Sequence, residues 1–132
     1  GVEILQNTCP GLVQEIEKGN LEGEETRATL ESALRPMLEK NIDTVVLGCT
    51  HYPFVIPLIE QVAGESVRVI DPAPSVAKQA ERLMEAAGIR NMENLSAERG
   101  RVQFYTSGEA AAFESLLPKL SSVRSRQPSR RT

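Results

Sequence analysis

Tryptophan is absent from this chain, and Phe and Tyr together make up only 4% of it. Its hydrophobic 40% must therefore build a core mainly from Leu, Ile, Val and Ala rather than from rings. Cysteine is scarce too. Cys9 and Cys49, forty residues apart, are too few for a disulfide scaffold and suit free thiols in the cytoplasm. Histidine occurs once, at position 51. No apolar run approaches the length of a membrane span, so no membrane partner is expected. No basic region followed by an apolar stretch suggests a secretory leader. No repeat with a period of 20 to 50 residues is visible.

Charge is unevenly spread over the 132 residues, a length that suits one domain. The net charge is -3, yet the last twelve residues hold Arg124, Arg126, Arg130 and Arg131 and no acid, so the preceding body stands at -7. A body this acidic argues against nucleic acid as a partner, because phosphate binding needs a basic face. Residues 121–132 read as a disordered Arg-rich tail.

Hydrophobic periodicity predicts alternating strands and helices. Residues 2–5 read as a short strand. Leu12, Val13 and Ile16 have helical spacing, with Gly19 as a stop. Leu30, Leu34, Met37 and Leu38 form the stripe of a longer helix over 24–40, in which Pro36 should cost a hydrogen bond. Residues 44–47 and 67–70 are short buried strands. Between them Pro53 suits a helix start and Gly64 its end. Ser75 is a fair N-cap for a helix with Val76, Ala80, Leu83, Met84 and Ala87 on a core face, ended by Gly88. A polar loop over 91–100, a strand over 102–106 and a helix over 109–120 complete the reading. The fold class is α/β, a parallel sheet sandwiched by helices on both faces. In such sheets reactive groups gather past the carboxyl ends of strands. Cys49, Asp71, and Thr106 with Ser107 all fall at such ends.

The stretch "VVLGCTHYPF", residues 45–54, carries the chemistry. A cysteine between a buried strand and a helix start is favoured as thiolate by the helix N-terminus. His51 can take or return its proton. Thr50 adds a hydroxyl and a backbone N–H where a substrate carboxylate would sit. The bland alternative is that Cys49 is only a small buried hydrophobe. A thiol hydrolase would further need an oxyanion hole and an orienting acid. A metal site has little support, because Cys9, Cys49 and His51 lack zinc spacing and a fourth ligand.

"GCTHYP", residues 48–53, resembles the second cysteine motif of the glutamate racemases, within the aspartate/glutamate racemase superfamily. "TCPGLVQEIEKG" (8–19), "VIDPAPSVAKQ" (69–79) and "FYTSG" (104–108) resemble further segments of that family in the same order, so the likeness covers nearly everything but the tail. It implies a cofactor-independent isomerase that interconverts L-glutamate and D-glutamate for peptidoglycan with two cysteine bases. Cys49 matches the base that acts on L-glutamate, Thr50 a carboxylate-binding residue, His51 the acid–base helper of that thiol, and Glu17 the acid supporting this His. Cys9 matches neither catalytic cysteine. "GCTHYP" favours glutamate over another acidic amino acid.

The family's amino-terminal Asp-Ser, Tyr-Gly and Cys-Asn-Thr motifs do not occur here, so the chain resembles the carboxyl-terminal half of a racemase, an incomplete fold. The resemblance implies that residues 1–72 belong to a second α/β domain, and that 73–120 complete a first. It further implies a homodimer for the family and, for this chain alone, no racemisation, because the first cysteine is missing. Unpaired strand edges and uncovered apolar faces are expected to invite association.

Overall fold

The computed structural model describes residues 1–89 and 103–125. Its regular elements are α1 (Leu12–Glu17), α2 (Glu24–Leu38), β1 (Thr44–Val46), a 3-10 turn (Tyr52–Val55), α3 (Ile56–Ala63), β2 (Arg68–Ile70), α4 (Ala73–Ala86) and α5 (Ala110–Ser125).

One hydrophobic cluster holds the first seventy residues together. Leu12 and Ile16 of α1, four residues apart, and Leu30 and Leu34 of α2, also four apart, project from one face of each helix. They meet Leu47, Val55, Ile56, Leu58 and Ile59 from the segment between the strands. Arg27 Nη2 donates to Gln61 Oε1 at 2.7 Å and ties α2 to α3 at the rim. Asn7 Nδ2 donates to Ala33 O at 2.8 Å and so lays the segment before α1 along α2. The α1–α2 link is equally well satisfied. Fully buried Thr26 donates to Asn20 O at 2.6 Å, and the Glu15 carboxylate takes Lys18 at 2.7 Å and Asn20 at 2.8 Å. Those two hydrogen bonds hold the Glu15 pKa below its ordinary value.

β1 and β2 pair in parallel, with Thr44, Val45 and Val46 opposite Arg68, Val69 and Ile70. Leu47 N donates to Ile70 O and Arg68 N to Asp43 O, extending the ladder at both ends. The 3-10 turn and α3 form the crossover that parallel pairing requires. Gly64 has φ +85, a conformation that ends α3 and that a side chain would resist.

The α/β class with a parallel sheet is as expected, but the sheet described has only two strands. Residues 2–5 and 103–106 are not strands. A strand exists through its ladder, and an apolar alternation without a neighbour to bond remains extended coil. Val2 is 92% exposed and Ile4 85%. Val102 and the expected loop over 91–100 lie outside the described residues.

Two expectations about α4 fail. Its first turn starts two residues before Ser75, and Asp71 Oδ1, not Ser75, accepts the Ala73 N–H at 2.9 Å. None of its fourteen residues is buried, so the stripe expected in the core faces outward. The tail expectation fails in part as well. Helix α5 continues through Ser125, with Ser121 Oγ bonded to Leu117 O and Leu120 packed on the core. Residues 126–132 lie outside the described residues.

Candidate active site

Three local features build the turn after β1. Leu47 is 4% exposed and anchors the strand end in the core. Tyr52 N donates to Cys49 O at 3.3 Å, and Phe54 N to His51 O at 3.1 Å, so the chain curls directly into the 3-10 turn. Pro53, in the first turn, lacks the N–H that would have had no helical partner there, and it is buried.

This curl sets the Cys49 thiol beside the imidazole two residues later. Cys49 Sγ lies 3.9 Å from His51 Nδ1. On the other side of the ring, His51 Nε2 lies 3.2 Å from Glu17 Oε1, a carboxylate 34 residues away in sequence. Glu17 is the last residue of α1 and directly follows Ile16, whose complete burial fixes where that helix ends. The ring is thus held between a thiol and an acid. A carboxylate can only accept, so the neutral ring keeps its proton on Nε2 and turns the lone pair of Nδ1 toward the sulfur. That is the arrangement a proton carrier needs: a thiol, an acceptor in reach, and an acid that stabilises the imidazolium formed.

The structure therefore brings together Cys49, His51 and Glu17. Thr50 sits exposed on the same turn. Asp71 follows β2, the strand beside the one that Cys49 follows, and its carboxylate caps α4. Thr106 and Ser107 follow no strand, and Thr106 Oγ1 accepts from Gly108 N at 3.0 Å, a local turn bond.

Tyr52 was not among the residues singled out from sequence. Burial, and then the charges that Cys9 and Cys49 would carry, push its phenol above the ordinary range, against a hydrogen bond from the Cys9 backbone. It therefore stays protonated at neutral pH, within electrostatic reach of both thiols. The signal available was its place in the motif, directly after His51.

Cys9 differs from Cys49 in its surroundings. It packs against the core, its Sγ lies 3.8 Å from Thr29 O, and burial raises its pKa. A raised pKa leaves less thiolate at any pH below it. Iodoacetamide at neutral pH is expected to alkylate Cys49 several-fold faster than Cys9, read by peptide mass spectrometry over time. Equal rates would mean that the two environments do not differ as described.

Comparison with known proteins finds relatives of one family. The profile of the Asp/Glu/Hydantoin racemase family matches residues 6–80. A glutamate racemase of Pseudomonas aeruginosa is 42% identical over 119 residues, covering 90% of this chain and 43% of the relative. One of Roseiflexus sp. is 37% identical over 120 residues, covering 91% of this chain and 43% of the relative. Among solved structures, glutamate racemase of Francisella tularensis in complex with D-glutamate superposes with a TM-score of 0.75 at 26% identity. It covers 91% of this chain and 44% of that one. A Bacillus anthracis glutamate racemase gives a TM-score of 0.77 at 27% identity, over 92% of this chain and 44% of that one. The chain spans less than half the length of the relatives it matches.

Proposed function

Since this chain belongs to the Asp/Glu/Hydantoin racemase family, we propose that it supplies one half-site of a cofactor-independent glutamate racemase. The observation that carries the reading is the line Cys49–His51–Glu17 at the carboxyl end of β1.

In this reading the Cys49 proton passes to His51 Nδ1, and Glu17 balances the imidazolium. The thiolate then takes the α-proton of L-glutamate, forming an S–H bond as the Cα–H bond breaks and leaving the electron pair on the substrate. Thr50 holds the α-carboxylate through its hydroxyl and backbone N–H. In the reverse direction the Cys49 thiol returns a proton to the same face. Inversion requires a second base on the opposite face. Cys9 is a poor candidate, being half-buried on the core side against Thr29. The second base then comes from the part of the racemase fold that the relatives have beyond the matched region. The whole protein would supply D-glutamate for peptidoglycan, in the cytoplasm and as a homodimer of completed subunits. Residues 1–72 would form part of one domain and 73–120 part of another.

The test is α-proton exchange. The chain is incubated with L-glutamate in D₂O, and the α-proton resonance is followed by NMR, with chiral analysis of the product. Loss of the resonance with retained L-configuration is expected, because a single base exchanges without inverting. An undiminished resonance in a sample whose circular dichroism shows a folded protein would sink the half-site reading.

A further inference from the structure

Helix α1 ends in a motif that glycine makes possible. Gly19 has φ +77, its N–H donates to Ile16 O at 2.9 Å, and the next N–H, of Asn20, donates to Glu15 O at 2.9 Å. This left-handed end satisfies two of the last carbonyls of the helix. Glu17, the acid beside His51, lies in the turn that the motif closes. A helix of six residues holds such an end poorly by itself, because helix formation is cooperative and ends fray. The solvent-exposed pair with His51 adds only roughly 0.2–1 kcal/mol.

Helix α5 lies over this end. A Cβ at Gly19 would stand 3.0 Å from Lys119 Nζ, 3.1 Å from Lys119 Cδ and 3.5 Å from Leu116 Cδ1, so both side chains rest on the glycine. The same helix packs against the 3-10 turn, which begins directly after His51. Leu116 and Leu120, one helical turn apart, are half-buried, and Leu120 reaches the core cluster. Helix α5 therefore touches both elements between which the imidazole–carboxylate contact is made, 34 residues apart in the chain.

We propose that Leu116 is a positioning residue: by seating α5 on Gly19 and on the 3-10 turn it clamps the end of α1 and so holds Glu17 against His51. The contact itself stands apart from any activity, and its catalytic consequence rests on the racemase reading.

The test uses the full chain. Its single histidine makes the ring protons of His51 unambiguous by NMR, and a nuclear Overhauser cross-peak from the ring to the Glu17 side chain reads the contact. Cross-peaks from the Leu120 methyls to the core read whether α5 is seated. Leu116→Asp puts a charge on the seated face and is expected to lose both signals. Leu116→Ala, which keeps the face apolar, is expected to weaken both together, and it decides alone if Leu116→Asp does not fold by circular dichroism. Ala111→Asp sets the same charge at an exposed position on the far side of α5, and Leu34→Ala empties the core from α2. Both should keep the two signals. In α-proton exchange of L-glutamate, Leu116→Asp should lower the saturated rate by up to about fivefold, the whole share of an exposed ion pair, and leave the half-saturating concentration unchanged. A ring–Glu17 cross-peak that persists at full strength in the Leu116 variants, whether α5 leaves or stays, would overturn the proposal. So would an equal loss in Leu34→Ala, which would make the effect one of core stability. A chain that shows the expected cross-peak changes but exchanges no α-proton would keep the clamp and remove the racemase reading instead.

Discussion

Exchange of the α-proton of L-glutamate is expected to fall to the buffer rate in Cys49→Ala and to drop by about 10²–10⁴-fold in His51→Asn. The first follows from the bond made. Without sulfur at position 49, the base that this reading sets against the substrate carbon is gone. The second follows from the ring's two contacts. Asn can still approach Glu17, but its amide nitrogen is no base, so the thiol loses the acceptor that lies 3.9 Å away. Glu17→Gln should matter far less. The carboxylate is 61% exposed and the imidazole 35%. Exposed ion pairs contribute roughly 0.2–1 kcal/mol, so its loss changes the rate by about fivefold at most. NMR exchange rates for the three variants check the order Cys49, His51, Glu17. A His51→Asn variant that exchanges like the parent would remove the imidazole from the mechanism, whatever its position.

Ile16→Ala is expected to destabilise the chain by about 2–5 kcal/mol, the usual cost of emptying a fully buried aliphatic site. Ile16 is 0% exposed and lies in the single cluster that joins α1, α2 and α3. Domains of this size retain only about 5–15 kcal/mol in all. Thermal unfolding by circular dichroism should therefore shift down by at least about 10 °C. The site is affected as well. Helix α1 has six residues and two fully buried anchors, Leu12 and Ile16, and Glu17 is its last residue. Leu34→Ala serves as the comparison. It empties the same cluster from α2, so both variants should melt earlier. Below both transitions only Ile16→Ala should lose the modest Glu17 contribution to exchange. Melting that is unchanged in Ile16→Ala would mean that α1 is held by something other than this contact.

Much of this was legible in the sequence because it is local. The helical spacings of Leu12 with Ile16 and of Leu30 with Leu34 report a face, and those faces are buried in one cluster. Cys49 and His51 are close because two residues in a tight turn have little choice, and Glu17 joins them because α1 ends at the right place. What the sequence misled about depends on partners. The apolar stripe of α4 correctly signals a helix with one apolar face, but periodicity cannot say whether a cover is present, and here the face is open. Residues 2–5 and 103–106 alternate as strands do and still form none, since strand formation is decided by the neighbour's hydrogen bonds. The cap of α4 went to Asp71 rather than Ser75 because the carboxylate reaches the Ala73 N–H as the chain leaves β2. The partly buried phenol of Tyr52, with its raised pKa, had no spacing rule to reveal it.

The distances along the chain between the three reacting groups have an entropic consequence. Bringing residues together from further apart in sequence closes a larger loop, at a cost that rises with the logarithm of its length. Cys49 and His51 close almost no loop, whereas Glu17 is brought to His51 across 34 residues by the packing of α1 into the core. The thiol and imidazole are thus paired wherever the turn is formed. The carboxylate is a tertiary addition, lost first when the core loosens and regained last when it sets.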